Sequence, residues 1–493
     1  MTHKLAKVWG HKDIIVVFLL LTLTYSYFYS HGSYNQNSRM GLTFSIVERN
    51  SLALNPDDVE KPSANFYTGD YSLVNGRYYS DKAPGSSILA ALVYYPIWYF
   101  EKVFQINQDV FAKMHLLTFL VIGLPSAFAG TLIYRISLIL SKSKFRAFIV
   151  TMAIALGTIS FPFSTTFFGH QLAGSLLFMS FFLIFQITQQ DKEDNVRHLR
   201  LFLIGFLMGL AFQVEYMTAI IILPLIVYYF IVLWRQGKIK RLVNLVIPFF
   251  GGLLPIVVLL VYNKVVFGGV FNIGYQFLGD DFFQSEMSKG LMGITSPKLS
   301  VLFYETFHPT YGIFWLSPVL LMIFVGAYYM LRQRQNRLEL GLSFFVAISY
   351  LIINSGYAVW WGGSSLGPRE VIPMLPFLSI PLIFVPKKWC PIFMGLTLIS
   401  IFQMTIAAAS NFLVDAKNIS TIATDPLFSY SLLYDDCLVQ IQNGRFSWIM
   451  GKYWFGITGI DCIRPLIIMQ LILVLIFFVN PKSNAPKMDD SLK

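Results

Sequence analysis

FYTGDYSLVNGRYYSDKAPGSSIL, residues 66–89, sets two aspartates, an arginine, a lysine, four tyrosines and three glycines between long apolar runs. Irregular polar backbone of this kind cannot face lipid, because hydrocarbon offers its N–H and C=O groups no partner. The segment must lie in water or line a cavity. Asn75-Gly76 and Pro84-Gly85 read as turns, so Arg77, Asp81 and Lys82 are expected on a short presented segment between them, with Asp70 just upstream.

The runs around this segment decide the fold. The chain has 493 residues, 55% hydrophobic and only 13% charged, with a mean hydropathy of +0.60. Soluble globular chains carry about 25% charged residues, and the apolar runs here reach the roughly 18–20 residues that cross a ~30 Å hydrocarbon core. The expected fold is an all-α polytopic membrane protein, a single domain over residues 1–493 with about twelve transmembrane helices. These fall at 13–30, 112–140, 145–164, 171–188, 201–214, 218–233, 242–262, 312–331, 338–355, 371–385, 392–409 and 465–479. Residues 88–104, interrupted by Pro96 and closed by Glu101 and Lys102, are placed instead as a juxtamembrane helix on the outer surface. Counting them as a span inverts every later loop.

With that assignment the connectors KSKFR (142–146), DKEDNVRHLR (191–200), RQGKIKR (235–241), RQRQNR (332–337) and PKK (386–388) share one side, together with Lys4, Lys7, Lys12 and a lysine-containing tail. Short loops rich in Lys and Arg stay cytoplasmic. Both termini are therefore expected in the cytoplasm of a multi-pass protein of the plasma (inner) membrane. The first run lacks a small-residue cleavage site and is expected to remain as a span. The net charge of +11 reads as these cytoplasmic clusters, and no nucleic-acid partner is expected. Outside lie residues 31–111, 263–311, 356–370 and 410–464, which hold the polar and aromatic content. A transporter would more often show related halves with broken spans in each; this pattern is that of a protein that works at its outer face.

A carboxylate beside cations at a membrane surface suits a reaction in which a hydroxyl loses its proton while a phosphate departs. The base needs a carboxylate, whereas a leaving phosphate is already a stable anion and needs only cations. The plainer alternative for Arg77, Asp81 and Lys82 is a solvated loop whose charges pair with one another.

Tyr79-Ser80-Asp81-Lys82-Ala83-Pro84, followed by an apolar helix, resembles the Y-F-E-K-P or H-P-P-L segment of the GT-C membrane glycosyltransferases, which include the lipid A aminoarabinose transferases and the protein O-mannosyltransferases. Asn35-Gln36-Asn37-Ser38-Arg39 is similar to their D-E-x-R signature, with Gln36 and Asn37 where the family places acids. Neither amide can act as a base, which moves that role onto Asp70, Asp81 or the Asp57-Asp58 pair. WWGGSSLGPREVIPMLPF (360–377) and Tyr262-Asn263…Phe267-Gly268 resemble stretches of bacterial GT-C-like proteins. The resemblance implies juxtamembrane helices in the first outer loop, a polyprenyl-phosphate-linked sugar donor and inversion at the anomeric carbon. It also implies that Lys82 meets the carrier phosphate.

Five further residues are candidates. His170 stands at an outer turn where it can bond acceptor or phosphate, or serve structure alone. Glu215 is ionisable within an apolar hairpin, which is expensive and usually functional; a hairpin tip in water is the plainer alternative. Arg369 at the mouth of a span can bind a phosphodiester bidentately or anchor to headgroups, and Trp360 and Trp361 suit the membrane interface. Asp280-Asp281 and Asp435-Asp436 read as solvated loop charges. Cys437 and Cys462 share one long loop, where an oxidising compartment would permit a disulfide.

The sequence thus leads to a glycosyltransferase moving a sugar from a polyprenyl-phosphate donor to a glycan, lipid or protein acceptor of the cell envelope, on the non-cytoplasmic face. Asp81, Asp70, Glu215 and His170 are the catalytic candidates. Lys82, Arg77, Arg369, Arg39, Trp360 and Trp361 are those for the donor phosphate. No cofactor and no metal ligand is assigned. A flippase or transporter of a lipid-linked glycan, or a non-catalytic assembly subunit, is the alternative.

Overall fold

The computed structural model describes residues 11–106, 108–334, 336–413 and 430–479. Lys4, Lys7, the tail beyond residue 479 and residues 414–429 of the last outer loop lie outside the described residues.

Among the described residues seven helices are long and apolar enough to cross a membrane: α4 (Val110–Ser141), α6 (Gly169–Thr188), α8 (Tyr216–Arg235), α9 (Val243–Phe267), α11 (Arg337–Ser355), α12 (Lys387–Ala409) and α13 (Gly459–Phe478). Two shorter apolar helices, α7 (His198–Val214) and α10 (Pro318–Gln333), pack among them, and the first run forms the 17-residue α1 (His11–Tyr27). The expected count of twelve full spans is therefore not reached by length. Two runs that contain prolines fall short. The 145–164 run forms α5 (Lys144–Ala155) and then a separate turn, Ser160–Phe163, that contains Pro162. The 371–385 run is a 3₁₀ stretch, Arg369–Leu378, with Pro373 and Pro376 inside it, followed by a turn with Pro381. Each proline lacks the N–H that an α-helical ladder needs.

Lys144 pairs with Asp13 and Lys12 donates to the Val479 carbonyl, so the start of α1 meets connector 142–146 and the end of α13; Lys238 donates to the Asp191 carbonyl, which joins connectors 235–241 and 191–200. Beyond the other end of α1, β1 (Phe28–Tyr29) pairs antiparallel with β4 (Trp448–Ile449).

In the first outer loop, α2 (Tyr34–Arg49) begins one residue before the Asn35–Arg39 motif, so the motif is itself helical. Strands β2 (Tyr71–Val74) and β3 (Arg77–Ser80) form a hairpin with Val74 opposite Arg77. Asn75 and Gly76 both have positive φ (50° and 72°), the backbone a two-residue turn demands. The turn at Pro84 leads directly into α3 (Gly85–Phe104), because the fixed φ of proline suits a helix start. This helix is the juxtamembrane element expected from the sequence, and it is not among the spanning candidates. The hairpin docks on loop 263–311, where Ser72 donates its hydroxyl to the Gly274 carbonyl and the Leu73 amide to Phe277.

Cys437 and Cys462 are free thiols, so the disulfide permitted by the sequence does not form. They lie on different elements: Cys437 ends the turn Leu432–Cys437, and the Cys462 carbonyl accepts from the Tyr27 hydroxyl at 2.7 Å. Thiol titration of the SDS-unfolded chain without reductant should therefore return about three reactive sulfhydryls, one for each free cysteine.

The start of α3 sits hard against the end of α7. A Cβ on Gly85 would lie 2.6 Å from the Gln213 carbonyl group. Gly85→Val should destabilise the chain by about 1–3 kcal/mol, the usual cost of overpacking, seen as a lowered thermal midpoint in detergent.

Candidate active site

Arg39 is the largest fully buried side chain, 1% exposed. It projects from α2 and makes four hydrogen bonds: Nε to Asn35 Oδ1 (3.1 Å), Nη1 to the Ala83 carbonyl and Ser86 Oγ (3.0 Å each), and Nη2 to Glu215 Oε2 (3.2 Å). Glu215 is the extended residue between α7 and α8. It is 5% exposed, so it is not the wetted tip that the sequence allowed. Burial raises its carboxyl above the ordinary range, opposed chiefly by the Arg39 charge. The pair needs room beside the first residue of α6. A Cβ on Gly169 would stand 2.9 Å from Glu215 Oε2 and 3.1 Å from Arg39 Nη2.

The second cluster comes from the hairpin. Lys82 Nζ lies 2.8 Å from Asp70 Oδ2 and 2.8 Å from Asp81 Oδ2, and 5.9 Å over the Tyr275 ring. Burial works against the ammonium, but the two carboxylates outweigh it and hold Lys82 protonated. Burial also raises Asp81, against the pull of Lys82. Asp81 is closed off, with 4% of its side chain exposed, while Asp70 keeps 23% open.

His170 joins the clusters. As the second residue of α6 it is buried, with Nδ1 3.5 Å from Glu215 Oε2 and 3.6 Å from Glu370 Oε2. Neither ring nitrogen has a hydrogen-bond partner among the described residues. Glu370 was not singled out from the sequence, although it adjoins Arg369 directly before an apolar run; that charged dipeptide was the available signal. Its other oxygen, Oε1, lies 3.7 Å from Arg369 Nε. Burial pushes the Glu370 carboxyl up to about 7, opposed by Arg369. Arg369 in turn rests on the Phe168 ring at 4.8 Å.

All these groups open on one cavity of about 1510 Å³. Its other wall is apolar, with Phe212 from α7, Ile220 from α8 and Ile256, Leu259 and Leu260 from α9. The arrangement can hold an amphiphile with an anionic head: the hydrocarbon against the apolar wall, the anion against Lys82 and Arg369.

The structure brings together Asp70, Asp81, Lys82, Arg39, His170, Glu215, Arg369 and Trp361, all of which line this cavity. It separates others. Arg77 is exposed at the hairpin turn, away from the lining. Trp360 packs instead into an aromatic cluster, stacked on Tyr304 (5.6 Å between centroids) and edge-on to Tyr311. Of the alternative acids, Asp57 pairs with Lys61 and Asp58 is buried outside the lining. Asp280 caps a short helix at the cavity mouth, and Asp435 accepts from the Ser431 amide. Gln36 and Asn37 bond the Tyr29 hydroxyl and the Tyr67 carbonyl.

Fold and site together define a multi-pass membrane protein whose ionisable groups converge at a cavity with one charged and one greasy wall. No protein-family model and no curated protein matches the sequence. Among solved structures it is similar to ArnT from Cupriavidus metallidurans bound to undecaprenyl phosphate, at 13% identity over 94% of this chain and 74% of that one, with a TM-score of 0.49. It is also similar to the archaeal oligosaccharyltransferase AglB from Archaeoglobus fulgidus in complex with an inhibitory peptide and a dolichol-phosphate, at 10% identity over 92% and 57% of the two chains, with a TM-score of 0.45.

Removing Arg39 would strand Glu215 in the interior. Arg39→Ala should cost about 3–5 kcal/mol, the usual loss when a buried pair is broken. Arg39→Lys should recover only part, because one ammonium cannot serve Asn35, Ala83, Ser86 and Glu215 at once. Denaturant midpoints of the purified variants measure both.

Proposed function

We propose that this chain is an integral-membrane glycosyltransferase that moves a sugar from a polyprenyl-phosphate-linked donor to a cell-envelope acceptor on the non-cytoplasmic face, with inversion. The observation that carries the reading is that Asp70 and Asp81, from the first outer loop, open on one cavity with Lys82 and with Arg369, almost 290 residues later in the sequence. The apolar wall from α8 and α9 suits the isoprenoid, and no other kind of donor needs hydrocarbon so near the charge.

Lys82 and Arg369 bind the donor phosphate. An arriving phosphate competes with Asp70 for Lys82, since Asp81 is buried beside the lysine and Asp70 is the more open of its two partners. Asp70, once released, takes the proton of the acceptor hydroxyl as its oxygen attacks the anomeric carbon. The glycosyl–phosphate bond breaks with its electron pair going to the phosphate, which leaves as polyprenyl phosphate held by the two cations. Asp81 keeps Lys82 in place. Arg39 is a positioning residue, since its hydrogen bonds are spent on the protein. Trp361 offers a ring to the sugar. The acceptor is a glycan, lipid or protein hydroxyl, and the termini lie in the cytoplasm of a plasma-membrane protein.

One observation favours a second reading, a non-catalytic glycan-assembly subunit: Gln36 and Asn37 stand where the related enzymes place acids. Substitution separates the two. Asp70→Asn should lower transfer in membranes by about 10²-fold or more, the usual contribution of a general base, while leaving donor binding intact; Lys82→Met should weaken donor binding. Full transfer by well-expressed Asp70→Asn and Asp81→Asn would remove the catalytic reading.

A further inference from the structure

Away from the cavity, connectors 191–200 and 235–241 gather cations that the chemistry above does not use. Helices α7 and α9 pack through glycine: a Cβ on Gly205 would strike the Pro248 carbonyl, and one on Gly209 the Gly252 carbonyl. Both contacts advance four residues along each helix, so α7 and α9 run parallel with their N-termini side by side. A helix N-terminus carries a partial positive charge on its unpaired amides. Neither of these two has a side-chain cap, since Arg197 and Leu242 occupy the cap positions.

The side chains around these ends add to the charge instead of answering it. Lys238 is only 1% exposed, and its ammonium donates to the Asp191 carbonyl at 3.1 Å and to no carboxylate. Burial disfavours that ammonium, and the charges of Arg241 and Arg200 disfavour it further, against the pull of Asp194 and Asp191. Arg200 also feels Arg197, and its Nη1 is buried with no hydrogen-bond partner among the described residues. Four cations thus face two carboxylates, which leaves two positive charges beside two positive helix ends. Leu199, Trp234 and Leu242, next to these cations in the chain, are exposed. A free inorganic anion would answer the charge alone; an anionic amphiphile answers the charge and covers the apolar rim.

We propose that Arg197, Arg200, Lys238 and Arg241 form a binding site for the headgroup of one anionic phospholipid, with its acyl chains against Leu199, Trp234 and Leu242. Basic pockets between membrane helices take such headgroups, and a guanidinium meets a phosphodiester through paired N–H groups. The two surplus charges match a headgroup with two phosphodiesters, so diphosphatidylglycerol binds more tightly than phosphatidylglycerol. None of the four cations lines the cavity, and the site does not rest on the transferase reading.

The test incubates the full-length chain in detergent with diphosphatidylglycerol, phosphatidylglycerol or zwitterionic phosphatidylcholine, and counts retained lipid by native mass spectrometry. One diphosphatidylglycerol should stay with each chain, phosphatidylglycerol should be retained less, and phosphatidylcholine should be lost. Excess inorganic phosphate should not displace the bound lipid. Arg200→Gln and Arg241→Gln should each weaken retention about fivefold, the usual worth of one basic residue near anionic lipid. Arg332→Gln, in a different basic connector, should leave retention unchanged. Equal retention of phosphatidylcholine would overturn the site, and that comparison uses the unaltered chain, so it does not depend on any variant folding. Displacement by inorganic phosphate, full retention by both folded variants, or an equal loss in Arg332→Gln would overturn it as well.

Discussion

A guanidinium with no access to water has to be surrounded by acceptors, and Arg39 meets that demand by gathering three segments of the chain. Asn35 lies on its own helix, Ala83 and Ser86 straddle the start of α3, and Glu215 marks the break between α7 and α8. Desolvation of the two charges is recovered only if every one of these bonds is made. The first outer loop is thereby fixed to the α7–α8 break, and Gly169 fits beneath because it has no side chain to push the pair apart. Once α2, the hairpin and the α6 terminus share this anchor, the positions of Lys82 and His170 follow.

Several ionisable groups of the cavity sit at ends of elements. Glu215 lies between two helices, His170 in the first turn of α6, and Glu370 at the opening of a 3₁₀ stretch. Placing charge where helices begin and end avoids carrying it through the apolar middle of a span, where solvation is poorest. It also explains the division of the cavity: polar groups come from termini and loops, and the greasy wall comes from the sides of α8 and α9. A site assembled this way has a dry approach for a hydrocarbon tail and a charged end for its head.

Arg135, in the apolar run 112–140, lies exposed beside the Phe182 ring. Buried carboxylates also lie outside the cavity lining: Glu339 accepts from the Tyr228 hydroxyl at 2.9 Å and Glu305 from the Asn354 side-chain amide at 3.0 Å.

The amino-acid sequence by itself determined the helical class, the juxtamembrane helix ending at Phe104, the Asn75-Gly76 turn and the neighbourhood of Asp81 and Lys82. Each of these depends on apolar run length, turn chemistry or adjacency, which are local properties. It did not show that the 145–164 and 371–385 runs are interrupted, because hydrophobicity is the same in a broken helix as in a continuous one. Only the tertiary structure decided that Arg77 points away, that Trp360 packs on Tyr304, and that Cys437 and Cys462 stay apart. It alone joined Glu370 to His170 and Glu215. Those three are separated by up to 200 positions, and their meeting depends on how helices pack, for which no single stretch of residues carries a local signal.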